Sequence, residues 1–141
     1  MTVVVDTSVW SLALRRKPAS LAASERDFVA SWSELVTDGR VTLIGLVRQE
    51  TLSGISVEAT FARVRDALAH FPDEPVATGD HERAAEMYNR CRSAGVQGTH
   101  TDFLLCAVAE RLGAPVFTTD ADFELYANYI PVTLFRVRSD A

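Results

Sequence analysis

The sequence predicts an α/β fold, one domain whose central parallel sheet is flanked by helices on both faces. Two observations predict it: continuous β-branched runs such as Val3-Val4-Val5, and helical apolar spacing in the segments between such runs. A run without polar alternation suits a strand buried on both sides, and strands alternating with helices specify a parallel sheet.

The first strand ends at Asp6. From Thr7 to about Leu14 the residues Val9, Trp10, Ala13 and Leu14 recur at helical spacing, and Arg15-Arg16-Lys17-Pro18 closes that helix. A second helix spans about Ala22 to Asp38 on Phe28, Val29, Trp32, Leu35 and Val36, and Asp38-Gly39 turns into a strand over Val41 to Ile44. A helix through Val47 and Glu50 stops near Gly54, and another runs from about Val57 to His70. A short strand is expected at Pro75-Val-Ala77, then a helix from about Asp80 to Arg92. The next helix, from about Thr99 to Gly113, is apolar all round through Phe103-Leu-Leu-Cys-Ala-Val-Ala109 and should be buried. Pro115 to Thr118 reads as a buried strand, a short helix follows Asp120, and Val132 to Val137 reads as an extended edge element.

The chain of 141 residues suits one domain, residues 1–141 with a core of about 2–135, and no low-complexity or linker-like stretch divides it. No segment approaches the roughly 20 apolar residues that span a bilayer, and no secretory leader is evident, so a cytoplasmic protein is expected. Cys91 and Cys106 show neither CxxC spacing nor a framework pattern and read as reduced packing residues. A net charge of −5 argues against a nucleic-acid partner, but thirteen of the fourteen basic residues are arginine, the better phosphate ligand, and an acidic metal pocket would hold several of the negative charges.

Each acid taken singly has an ordinary explanation. Asp6 and Asp120 suit helix N-caps, Asp102 completes a capping-box pattern with Thr99, and Glu50 suits a solvated helix face. In an open parallel sheet, however, ligands bind beyond the carboxyl ends of the strands, where Asp6 and Asp120 both fall. Carboxylates gathered there repel one another unless a cation neutralises them, and Mg²⁺ or Mn²⁺ are the hard ions that prefer oxygen ligands. The three histidines lack zinc-site spacing, and no GxSxG elbow or Cys/His nucleophile pattern is present.

Four segments carry a resemblance: Val-Val-Val-Asp6-Thr-Ser-Val-Trp10, Gln49-Glu50-Thr-Leu-Ser-Gly54, Asp102-Phe-Leu-Leu-Cys-Ala-Val-Ala109 and Thr118-Thr-Asp120-Ala-Asp122-Phe123. In order and spacing they resemble the motifs of PIN-domain nucleases, most of all the VapC toxins of toxin–antitoxin pairs. The resemblance implies that Asp6, Glu50, Asp102 and Asp120 bind one or two Mg²⁺ or Mn²⁺ ions, with Asp122 a fifth acid and Thr7 and Thr118 supporting hydroxyls. It implies an endoribonuclease that cuts RNA by metal-activated water, leaving a 5′ phosphate and a 3′ hydroxyl. A small VapB-like antitoxin and a homodimer are the implied partners. Alternatives are a PIN nuclease of RNA maturation or decay and a non-catalytic PIN-like binding module.

Other strand-end-acid proteins fit worse. A haloacid-dehalogenase-like phosphatase needs an Asp where Ser8 stands, and a receiver domain needs a late lysine, whereas the chain's one lysine is Lys17. Arg15, Arg16 and Lys17 are candidates for RNA phosphates or an ordinary basic helix end. Arg48 reads as a surface residue. Trp10 and Trp32 read as core residues more than as base-stacking platforms, and His100 reads as a solvent-exposed residue near Asp102.

Overall fold

Val3–Val5 form β1, and all three valines are buried, as a run of β-branched residues with no polar face requires. In the computed structural model, which describes residues 1–138, β1 is the middle strand of a three-stranded parallel sheet. The last three residues of the expected 1–141 domain lie outside the described residues. Strand β2 (Val41–Thr42) lies on one side with Val3 opposite Val41, and β3 (Val116–Phe117) lies on the other with Val5 opposite Phe117.

Seven α-helices complete the chain among the described residues: α1 (Thr7–Leu14), α2 (Ala23–Thr37), α3 (Gly45–Leu52), α4 (Glu58–Leu68), α5 (Thr78–Ser93), α6 (His100–Leu112) and α7 (Asp122–Tyr126). None is long and apolar enough to cross a membrane. A single 3-10 turn at Pro18–Ser20 links α1 to α2. The chain steps from β1 outward to β2, then crosses back over β1 to β3. With right-handed crossovers, that reversal puts the β1–β2 helices on one face and the β2–β3 helices on the other, so both faces of the valine strand are covered. It also creates a switch point between β1 and β3, where an open sheet leaves a crevice.

Helix α6 is the inner wall. Residues Phe103 to Ala109 are all buried, and α6 packs along α5 and against β1 and β3. Gly113 ends it at φ +63°, and Ala114 N–H returns to the Ala109 carbonyl, a left-handed stop that glycine adopts without Cβ strain. Cys91 and Cys106 are buried and unbridged, and burial pushes both thiols' pKa values up. Trp10 lies at the centre of an aromatic cluster, edge-on to Trp32 at 5.6 Å and to Phe71 at 4.9 Å between ring centroids.

Two expected strands do not form. Residues 75–77 are not extended partners of the sheet: Pro75 brings no N–H, its carbonyl accepts from Arg111, and the one parallel bridge in this region joins Leu43 to Asp73. Likewise, Val132 to Val137 contributes only a bridge between Leu134 and Val116. The strand expected over Val41 to Ile44 is shortened to Val41–Thr42 for a related reason, since Leu43 turns to pair with Asp73 and Ile44 caps α3.

Arg48 has a structural task. Its guanidinium donates to Asp73 Oδ1 at 2.9 Å, to the Leu68 carbonyl at 2.9 Å and to the Phe71 carbonyl, tying the end of α4 and the turn after it to α3. Arg48→Ala is therefore expected to lower stability by about 2 kcal/mol, since hydrogen bonds from a charged donor are lost while carbonyls remain partly buried. Urea denaturation of the two proteins measures this, and an unchanged midpoint would remove the clamp from the account.

Candidate active site

The sequence brings Asp6 to the carboxyl end of β1, where its N–H donates to the Phe117 carbonyl of β3 at 2.8 Å, directly over the switch point. Its side chain makes no capping bond to α1. Instead Oδ2 accepts from Ser8 Oγ at 2.8 Å and Thr118 Oγ1 at 2.8 Å. Asp6 is only 7% exposed, and burial raises its carboxyl pKa above the ordinary value against the opposing effect of those two hydroxyls and of the Thr7 and Ser8 backbone amides.

Glu50 arrives on α3, which packs against α1, and its Oε1 accepts from Thr7 Oγ1 at 2.7 Å. Asp102 sits in the first turn of α6. Its backbone N–H donates to Thr99 Oγ1 at 3.1 Å, which is half of a capping box, but its carboxylate does not complete the other half. That carboxylate is turned to Tyr126, whose hydroxyl donates to Oδ2 at 2.7 Å. Burial is the main cause that raises the Asp102 pKa, the Tyr126 and Thr99 hydroxyls oppose it, and the charges of Asp6 and Asp120 add to the rise. Asp120 is exposed and precedes Ala121, the N-cap of α7; its Oδ1 accepts from Asp122 N–H at 2.9 Å.

These side chains line one open cleft of about 480 Å³, formed by Asp6, Thr7, Glu50, Asp102, Asp120 and Asp122 together with residues 97–99 and Tyr126. Five acids line it, and no Lys, Arg or His does. Among the described residues no three acids converge closely enough to enclose an ion as they are posed. Each carboxylate rests instead on a neighbouring hydroxyl or amide donor: Asp6 on Ser8 and Thr118, Glu50 on Thr7, Asp102 on Tyr126, Asp120 on the Asp122 amide. An all-oxygen donor set without a basic counter-charge matches the chemistry of hard divalent cations.

The remaining candidates stand elsewhere. Arg15, Arg16 and Lys17 lie past the far end of α1 and outside the cleft lining; Arg15 donates to the Ser53 carbonyl, and Arg16 bridges to Glu25 at 3.4 Å. His100 is exposed and stacks on Tyr88 at 5.2 Å, bordering a groove between α5 and α6 rather than the acidic cleft. Trp10 is fully buried with its indole N–H on the Val5 carbonyl, so it packs the core.

Sequence reasoning passed over Ser8 and Tyr126. Ser8 had a local signal, since a hydroxyl two residues after an Asp at a helix start is placed to bond back to that acid. Its Oγ also accepts from Thr119 N–H at 3.0 Å, tying the β1 and β3 ends together. Tyr126 had none, because its partner is reached only through the packing of α7 on α6.

A family model described as PIN domain matches residues 3–129. No curated protein matches the chain. Among solved structures, it is similar to VapBC2 from Rickettsia felis bound to a DNA fragment from their promoter, at TM-score 0.75 and 14% identity over 98% of this chain and 100% of the other. FitAcB from Neisseria gonorrhoeae follows with TM-score 0.73 and 18% identity over 96% and 97% of the two chains. A VapBC-5 structure from Mycobacterium tuberculosis, a member of the VapBC family of toxin-antitoxin systems, gives TM-score 0.67 and 19% identity over 97% and 100%. At these identities the likeness is one of fold.

Proposed function

Because the chain belongs to the PIN domain family, matched over residues 3–129, we propose that it is a Mg²⁺- or Mn²⁺-dependent endoribonuclease acting in the cytoplasm as the toxin of a type II toxin–antitoxin system. The observation that carries this reading is the cleft in which Asp6, Glu50, Asp102, Asp120 and Asp122, from four separate stretches of chain, gather without a basic side chain. Caps and solvated faces explain acids one at a time but not why five of them line one cleft.

In this reading Asp6, Glu50, Asp102 and Asp120 hold one or two divalent ions, with Asp122 at the margin. A bound divalent ion supplies an acidified water and offsets charge on the phosphodiester under attack. The chain's own contribution is placement. Ser8 and Thr118 aim the Asp6 carboxylate, Thr7 aims Glu50, and the switch point leaves the cleft open to a polynucleotide. The products are a 5′ phosphate and a 3′ hydroxyl. Structured RNA with exposed loops, such as tRNA or rRNA, is the proposed substrate class, since unpaired loops present bases and backbone to a protein. A small VapB-like antitoxin is the proposed partner, supported by the fold shared with VapBC chains, and a homodimer is the proposed assembly. Arg15, Arg16 and Lys17 are left as an outlying RNA-phosphate contact.

Purified protein is expected to cleave RNA with Mg²⁺ or Mn²⁺ and to lose all cleavage in excess EDTA. The same ions should raise its melting temperature, because a ligand present at a hundred times its Kd stabilises the folded state by about 2.7 kcal/mol. Full cleavage in EDTA would sink the metal mechanism. Harmless overexpression, with no small reading frame beside the gene, would favour RNA maturation or decay over the toxin role.

A further inference from the structure

Tyr126 closes α7 and is fully buried, yet it is one of the residues lining the acidic cleft. Its ring is held from two sides, by Phe103 at 4.9 Å and Phe123 at 5.1 Å between centroids. The third side is the backbone of Gly98. A Cβ at position 98 would lie 2.5 Å from the Tyr126 hydroxyl and 2.8 Å from both the phenol carbon that bears it and the Phe103 ring. No real Cβ tolerates such distances, so only glycine lets the phenol sit where it does. In that seat the hydroxyl donates to Asp102 Oδ2 at 2.7 Å.

We infer that Tyr126, seated by Gly98, is a positioning residue of the acidic centre: it fixes the Asp102 carboxylate through Oδ2 and leaves Oδ1 to bind the divalent ion. The inference rests on the reading of the cleft as a divalent-ion site. Asp102 is in the first turn of a helix, where the capping pattern would draw its carboxylate back toward the Thr99 N–H. The phenol supplies a donor from outside that turn, which holds Oδ2 at the cleft. A rigid aromatic lever does this at little entropic cost, because its ring is already immobilised by packing. Groups that orient a metal ligand in this way influence metal affinity by about tenfold to a hundredfold.

The test is Mn²⁺ binding, followed by electron paramagnetic resonance of the free ion, to the wild type, Tyr126→Phe, Gly98→Ala and Asp6→Asn. Tyr126→Phe keeps the ring and should keep the fold, with an EDTA melting temperature within a few degrees of wild type. Its Mn²⁺ affinity should fall about tenfold. RNA cleavage at sub-saturating Mn²⁺ should fall by the same factor and recover as Mn²⁺ is raised to saturation. A structural defect is distinguished by the melting temperature in EDTA, which it would lower and which loss of the phenol hydroxyl leaves in place. Gly98→Ala retains the hydroxyl but displaces it, and should weaken Mn²⁺ binding similarly. Wild-type affinity in Tyr126→Phe, or a cleavage deficit that persists at saturating Mn²⁺, overturns the role of Tyr126. Wild-type protein that binds Mn²⁺ no better than Asp6→Asn overturns the metal reading itself.

Discussion

Asp6→Asn leaves a folded protein whose metal-dependent RNA cleavage is reduced on the order of 10²–10³-fold, the scale on which a single electrostatic group at a reacting centre acts. The amide keeps the size of the side chain and an oxygen that can still accept from Ser8 and Thr118, so the β1 end has no cause to unravel. What it removes is a buried negative charge. The sign of the stability change follows from the same observation. Burial raises the folded-state pKa of Asp6, so the folded chain holds that proton more tightly than the unfolded chain does. Stability without metal therefore declines as pH rises from the ordinary carboxylate range through the raised value. Above that raised value the ionised form is a net cost, and Asn removes it. In EDTA the variant should melt above the wild type, and with Mg²⁺ the order should reverse. Asp102, raised mainly by burial, should behave in the same sense. A variant that melts below the wild type in EDTA would show that Asp6 is needed for the fold rather than for binding, and equal cleavage would remove it from the site.

Trp10→Ala should be the most damaging substitution to the fold. The side chain is fully buried, packs edge-on against Trp32 and Phe71, and donates its indole N–H to the Val5 carbonyl, the last residue of the central strand before Asp6. Truncating a buried aromatic costs about 3–5 kcal/mol, because the cavity it leaves closes only in part. Against a typical total of about 5–15 kcal/mol, such a loss lowers the population of folded protein severely. Thermal or urea unfolding should show a large drop, with Trp10→Phe intermediate. A near-native midpoint for Trp10→Ala would mean that the indole is peripheral. RNA affinity per folded molecule should be unchanged in Trp10→Phe, as expected of a core residue and not of a base-stacking platform.

The elements read most directly from sequence were those with strong local signals. Val3–Val5 had no polar face to offer solvent, and residues 103–109 had none either, so both had to be interior. Gly113 and the Asp38-Gly39 turn marked helix ends through backbone freedom alone. The expected strands at 75–77 and 132–137 failed because a strand is completed by its neighbour. An arginine side chain and a single bridge met the needs of those backbones first.

The acidic residues divide in the same way. Their identity, order and placement at strand ends were legible, since residue type and strand periodicity are local properties. Whether each carboxylate capped a helix or faced a cleft was not, because that depends on which donor outside its own turn comes nearest. Asp120 bonds within its own turn, whereas Asp102 reaches Tyr126 and Asp6 reaches Thr118. Sequence by itself determined an α/β chain with acids at one edge. Tertiary structure alone decided their partners, because hydrogen bonds between residues separated by 24 to 112 positions exist only once α6, α7 and the sheet have packed.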